Sequence, residues 1–239
     1  MSILSLFSNL SAKKPLTCSV VIAAAGLSQR CRGEDKLFCL LGDKPVIAHS
    51  VQAFEKCELV NEIIIVSRQE RISDITAICE KYNFKKVSMV MVGGDTRLDS
   101  VMTGVYVASR KNKIIAVHDA ARPCIDADII RKSIIAARKY HAAAPAVAVS
   151  STLKRVSNGV ISETVDRSGL FEIQTPQVFK SEVIKAALSN AKKKSINVTD
   201  DCMAVELMGM PVHIVEGSRR NLKITVNEDL AIAEAFIRE

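Results

Sequence analysis

Three short segments carry side chains suited to handling anions, and each follows a run of apolar β-formers. The first is Ala23-Ala24-Ala25-Gly26-Leu27-Ser28-Gln29-Arg30, with Asp35-Lys36-Leu37 close behind. Small residues let a backbone approach a ligand closely, and successive free N–H groups can cradle phosphate oxygens. Arg30 and Lys36 add two cations within reach of the same anion. The spacing matches neither the Walker loop nor the dinucleotide G-x-G-x-x-G pattern. A small-residue turn alone fits plain packing as well as binding, and the two cations after it favour phosphate. The second segment, His118-Asp119-Ala120-Ala121-Arg122-Pro123, sets an acid and a base at a strand tip. Burial there is costly unless they pair with each other or with a ligand, so a structural ion pair and a functional one are both open. The third, Gly93-Gly94-Asp95-Thr96-Arg97, adds glycines, a hydroxyl and both signs of charge.

The elements that must position these segments follow from hydrophobic periodicity. Short runs rich in Val and Ile alternate with 3.6-period stretches, the pattern of a parallel sheet flanked by helices. Strands are predicted at Ser19–Ala24, Ile63–Ser67, Val87–Val92, Ile114–His118 and Ala146–Val149. Helices are predicted at about Val46–Glu55, opening with Pro45 at its leading position, Arg71–Tyr82, Arg97–Arg110, and Ala127–Tyr140 capped by Asp126. In an open sheet of this kind ligands bind beyond the carboxyl ends of the strands, where all three segments lie. After Val149 the rhythm breaks. Leu153–Val156 and Val160–Val165 read as a hairpin across Ser157-Asn158-Gly159, since Asn-Gly supplies the positive φ of a tight turn. Helices then follow at Ser181–Ser189 and after a Thr199 cap, a strand at Val212–Val215, and a closing helix at Glu228–Ile237 behind Asn227. The reading is an extension over 1–16 and a single α/β domain over 17–239, with a β-arm at about 150–168.

Composition narrows the partners. The 239 residues include 33 Lys and Arg against 26 Asp and Glu, a net charge of +7. That suits an anionic partner, though an ordinary basic surface gives the same balance. With three Tyr, seven Phe and no Trp, platforms for stacking nucleic-acid bases are scarce. Lys192-Lys193-Lys194 reads as a solvated run in a loop. The longest apolar stretches are strand-length, too short for a membrane span. Seven scattered cysteines without C-x-x-C spacing point to reduced thiols in the cytoplasm.

Taken together, the chain resembles the 2-C-methyl-D-erythritol 4-phosphate cytidylyltransferases of the non-mevalonate isoprenoid pathway. The likeness runs from about residue 18 to the C-terminus. It is carried by AAAGLSQR at 23–30, GGDTRLDSV at 93–101, HDAARP at 118–123 and STLKR at 151–155. It continues through TVDRSGLFEIQTPQVF at 164–179, TDD at 199–201, and VEGSRRNLKIT followed by EDL at 215–230. The resemblance implies a Rossmann-like nucleotidyltransferase fold, a mostly parallel sheet with flanking helices and an extended β-arm. It implies that CTP binds along Ala24, Ala25 and Gly26, with Gly93, Asp95 and Ser100 recognising cytosine and ribose. Arg30, Lys36 and Lys223 correspond to the cations at the reacting phosphates. Asp119, Arg122, Thr152, Arg167 and Thr175 correspond to groups near the sugar phosphate, Asp119 also facing the nucleotide. It further implies Mg²⁺ held mainly by the CTP phosphates with Asp119 as a candidate ligand, and a homodimer joined through the arm. A ribitol 5-phosphate cytidylyltransferase shares the first loop and the Asp-x-x-Arg-Pro element, and is the alternative reading.

Two departures stand out. The family commonly has a second glycine where Ser28 stands, and Pro-Lys-Gln where this chain has Asp35-Lys36-Leu37 on a loop one residue shorter. Arg32 is therefore a second candidate for the cation assigned to Lys36. The reaction so implied needs no general base, because the attacking phosphate oxygen is already ionised at neutral pH. That agrees with a sequence in which no Ser/His/Asp or Cys/His set is evident.

Overall fold

The computed structural model describes residues 17–26 and 35–238. Runs of β-branched residues that bury both faces give β1 (Cys18–Ala24), β4 (Val60–Ser67) and β6 (Ile114–Asp119), and the edge strand β5 (Val87–Val92) is only partly buried. Between β1 and β4 lie the two-residue strands β2 (Leu40–Leu41) and β3 (Lys44–Pro45), then α1 (Val46–Glu55). Helices α2 (Ile72–Lys81), α3 (Arg97–Val107) and α4 (Ala127–Tyr140) follow β4, β5 and β6 respectively. The second half holds β7 (Ala142–Ala148), β8 (Leu153–Ser157), β9 (Val160–Val165), β10 (Phe171–Ile173) and β11 (Gln177–Lys180). After these come α5 (Ser181–Lys193), α6 (Asp201–Glu206), β12 (His213–Glu216) and α7 (Asn227–Arg238). Among the described residues no helix is long and apolar enough to cross a membrane.

Among the described residues the main sheet has eight strands in the order β10-β7-β11-β6-β1-β4-β5, with β12 pairing β7. Strands β6, β1, β4 and β5 are parallel, while β11 runs antiparallel between β6 and β7. Alternate residues feed two cores. Val20, Ile22, Ile63 and Ile65 pack with Phe54 of α1 and Ile130 and Ile134 of α4. Val21, Ile64, Val66 and Phe179 pack with Val101 of α3, Leu188 of α5 and Val205 of α6. Helix α3 sits unusually low on its face. A Cβ on Gly104 would stand 2.5 Å from Cγ1 of Val21 and 2.9 Å from Cγ2 of Val66.

Several sequence expectations are corrected. Pro45 is the residue before α1 and not its first turn, and Asp200 rather than Thr199 caps α6, accepting from the Met203 N–H at 2.8 Å. Lys192 and Lys193 belong to the last turn of α5, where Lys192 pairs with Asp99 at 2.6 Å. Strand β7 begins four residues before the predicted Ala146, and β10 and β11 were not expected. The hairpin forms as read, with Asn158 at φ 50° and Gly159 at φ 78°. Among the described residues, strands β8 and β9 pair only with each other, and they expose Val156, Val160 and Ile161. Among the described residues, cysteines 18, 39, 57, 79, 124 and 202 form no disulfide; Cys31 lies outside the described residues.

Candidate active site

Register brings the strand ends level. Ala23 stands beside Asp119, Ala24 beside Ser67, and Ser67 beside Val92. Because β11 runs the other way, its leading residues Thr175 to Gln177 reach the same rim. A cavity of about 430 Å³ opens there. Its lining comes from Ala23 to Gly26, from Lys36 and Leu37, from Gly94 to Arg97 with Ser100, and from Asp119, Ala121 and Lys223.

Each wall has a local cause. A Cβ on Gly93 would lie 2.5 Å from Oγ of Ser100 and 3.2 Å from Cβ of Ala25, so only glycine lets the β5 exit close against the first turn. Thr96 caps α3 by accepting from the Asp99 N–H at 3.1 Å, which leaves the positive end of that helix at the cavity. On the facing side, Asp35 holds the turn that carries Lys36. Its carboxylate accepts from Arg68 at 2.5 Å, lies 3.5 Å from Nε of Arg71, and accepts from the Leu37 N–H at 3.2 Å. Arg71 also lies over the Phe38 ring at 4.8 Å.

Asp119 is the charge centre of the rim. Lys223 Nζ is 2.8 Å from its Oδ2 and Arg122 Nε 3.8 Å. Burial works against the Asp119 carboxylate, but Lys223 and Arg97 outweigh it and hold its pKa below the ordinary value. Its backbone N–H donates to Thr175 Oγ1 at 3.1 Å, and that hydroxyl meets His118 Nδ1 at 3.0 Å. The assignment satisfying the whole chain has Thr175 donating to Nδ1 and His118 Nε2–H donating to the Arg122 carbonyl at 3.3 Å. His118 is fully buried, edge-on to Phe54 at 4.8 Å. Burial depresses its pKa to about 4, so it is neutral at pH 7 and serves as a strut. Arg122 also donates to the Asn221 carbonyl at 2.6 Å, and burial lowers its pKa despite Asp119.

Arg97 reaches the cavity from a second buried network. Its guanidinium forks onto Asp201 at 2.7 and 3.1 Å. Burial opposes its charge, yet Asp201 more than compensates and raises its pKa. Burial pushes the Asp201 carboxyl upward, and the two contacts from Arg97 pull it back. Gln177 fixes this corner by accepting from the Asp201 and Cys202 N–H groups at 2.9 and 3.1 Å and donating to Asp200 at 2.8 Å.

Of the residues nominated from the sequence, Ala24, Ala25, Gly26, Lys36, Asp95, Ser100, Asp119 and Lys223 line one cavity. Gly93 packs just behind it, and Thr175 and Arg122 brace Asp119 from below. Thr152 and Arg167 sit exposed beside the β8–β9 arm and do not line the cavity, Arg167 donating to the Ser150 carbonyl. Arg30, with Ser28 and Arg32, lies outside the described residues. Sequence reasoning quoted Arg97 in its third segment without giving it a role, and it gave none to Gln174, Gln177 or Asn221. Arg97 had a readable signal, being a cation in the first turn of a helix that opens at a strand end.

The profile of the 2-C-methyl-D-erythritol 4-phosphate cytidylyltransferase family matches residues 18–239. Enzymes bearing that name from Clostridium acetobutylicum and Bacillus cereus are similar to this chain. The first is 38% identical over 94% of this chain and 98% of its own length, and the second 40% over 92% and 97%. Among solved structures, a 4-diphosphocytidyl-2C-methyl-D-erythritol synthase from Anaerococcus prevotii superposes with a TM-score of 0.82. It is 28% identical and covers 93% of this chain and 99% of its own.

Proposed function

The chain belongs to the 2-C-methyl-D-erythritol 4-phosphate cytidylyltransferase family, and from that premise we propose how its rim performs the reaction. It is a nucleotidyltransferase that moves a cytidylyl group from CTP to 2-C-methyl-D-erythritol 4-phosphate, giving 4-diphosphocytidyl-2-C-methyl-D-erythritol and pyrophosphate. The match over residues 18–239 does not favour the ribitol 5-phosphate alternative. The observation that carries the mechanism is one cavity in which Lys36, Lys223 and Arg97 converge on the small-residue turn at 24–26.

In this reading the turn receives the triphosphate while Gly93, Asp95 and Ser100 frame the nucleoside. An oxygen of the acceptor phosphate attacks the CTP α-phosphorus. The new P–O bond forms opposite the bond that breaks, and pyrophosphate carries away the electron pair. The second ionisation of a phosphate monoester lies near pH 6, so the nucleophile is already charged and no side chain has to remove a proton. What remains is positioning and neutralisation of charge. Lys36, Lys223 and Arg30 are the cations assigned to the reacting phosphates. Asp119 holds Lys223 in place, with Thr175 and Arg122 holding Asp119 and standing close to the acceptor phosphate.

The donor set suits a magnesium ion carried mainly by the substrate. Asp95 and Asp119 are the carboxylates among the described lining residues, and Mg²⁺ sites built from one or two carboxylates plus substrate phosphates are common. When bound, the ion supplies neutralisation of triphosphate charge. The arm completes the proposal. Thr152 and Arg167 contact the acceptor across a homodimer, each arm serving its neighbour's cavity, and the enzyme works in the cytoplasm.

The test is pyrophosphate release with CTP, Mg²⁺ and each candidate polyol phosphate. Release with methylerythritol phosphate and not with ribitol 5-phosphate is expected; the reverse preference overturns the assignment of the acceptor. Sedimentation at micromolar protein tests the dimer, a monomer being the outcome that removes the arm from the site.

A further inference from the structure

The segment between β12 and α7 has no regular secondary structure, yet it delivers the Lys223 ammonium to 2.8 Å from Asp119. A loop needs outside support to hold such a position. We propose that Gln174 and Asn221, clasped with Arg122, form a buried latch that positions Lys223, and that both amides are positioning residues for the transfer step. The proposal rests on Lys223 acting in that step.

The geometry is closed on itself. Asn221 is fully buried, and its Nδ2 donates to Gln174 Oε1 at 3.2 Å and to the Thr175 carbonyl at 2.9 Å. Gln174, 5% exposed, donates from Nε2 to the Ser218 carbonyl at 2.8 Å and accepts the Ser218 N–H at 3.3 Å. Arg122 donates to the Asn221 carbonyl at 2.6 Å. Three residues on, past Lys223, the Ile224 N–H donates to the Ala121 carbonyl at 2.8 Å. Thus Lys223 is flanked by residues tied to the same two strand ends that present Asp119. Thr175 links the two sides directly, since its carbonyl holds Asn221 and its hydroxyl accepts the Asp119 N–H.

Two details favour positioning over mere packing. A Cβ on Gly217 would stand 2.6 Å from Gln174 Oε1, so the backbone is drawn close to that amide. Asn221 Oδ1 is buried and finds no donor among the described residues. An unmatched buried acceptor weakens folding, so what asparagine contributes here is its pair of N–H donors, which no apolar residue could supply.

The experiment measures turnover, and hydrogen exchange of the Ile224 backbone N–H, in Asn221→Ala, Gln174→Ala, Lys223→Met and the Asn221→Ala/Lys223→Met double variant, each checked for folding by near-ultraviolet circular dichroism. Asn221→Ala is expected to lower kcat about 10- to 30-fold with KM for CTP within threefold, and Gln174→Ala to reproduce it. Exchange at the Ile224 N–H, bonded to the Ala121 carbonyl, is expected to speed up in both and to stay slow in Lys223→Met, where the latch is intact. In the Lys223→Met background, Asn221→Ala is expected to change kcat by less than twofold, because the latch acts only through that lysine. A full independent loss in that background, or unchanged Ile224 N–H exchange in folded Asn221→Ala, overturns the latch. Wild-type turnover in Lys223→Met instead overturns the role of Lys223 in transfer, while the amide exchange still reports on the latch itself.

Discussion

The rim and the arm hold their functional side chains in opposite ways. At the rim, Asp119 is met by Lys223, Arg122 and Thr175, Asp35 fixes the turn before Lys36, and Asp201 and Gln177 fix Arg97. Every one of these contacts comes from the same chain and most are buried. On the arm, the side-chain pairs are Lys154 with Thr164 at 2.5 Å and Arg155 with Glu163 at 3.0 Å, both in solvent. Such exposed pairs contribute little, and a two-stranded hairpin on its own is marginal in water. The rim is held by buried contacts before ligand arrives, whereas the arm is held by its own ladder and exposed pairs.

Breaking the rim should therefore be costly and breaking the arm selective. The largest effect is expected for Lys36→Met, with turnover falling by about 10² to 10³ as for loss of one oxyanion-type donor and KM for CTP within threefold. Steady-state kinetics check it, and unchanged turnover would remove Lys36 from the transition state. Next comes the buried strut. The His118 pKa is depressed in the folded state to about 4, so the unfolded chain binds the extra proton between pH 6.5 and 4. Stability then rises with pH across that window and is lost on acidification, by up to about 3 kcal/mol from this group. Urea unfolding at the two pH values measures this, with a His118→Gln control expected to show a shallower dependence. On the arm, Arg167→Ala is expected to raise KM for methylerythritol phosphate about tenfold, the scale of one hydrogen bond to a charged group, without altering KM for CTP. An equal rise for both substrates would erase the contrast. The smallest effect is Val160→Ser at the exposed hairpin, expected to move unfolding of the isolated chain by less than about 0.5 kcal/mol. A large loss would show the arm to be part of the core.

What could be read from the sequence follows how local its causes are. Strand β5, helices α1 and α4 and the Asn158-Gly159 turn obey short-range pattern and turn chemistry, and they stand where expected. Strand β11 escaped because four residues after a proline read as loop, and its place between β6 and β7 depends on pairings 60 positions back and 35 back. Alanines and Pro145 hid the start of β7, since they are poor β-formers. The site was legible as motifs at three strand ends. Its supports were not: Asp35 with Arg68, Arg97 with Asp201 and Asn221 with Gln174 are separated by 33, 104 and 47 residues. No periodicity encodes such pairs.

The low seat of α3 has its own consequence. One hydrogen atom at Gly104, where any other residue has carbon, sets how deep the whole rod of α3 lies, and the leading end of that rod puts Thr96, Arg97 and Ser100 into the cavity wall. A methyl there would act as a shim, tilting that wall from about ten ångströms away without touching any residue that lines the cavity.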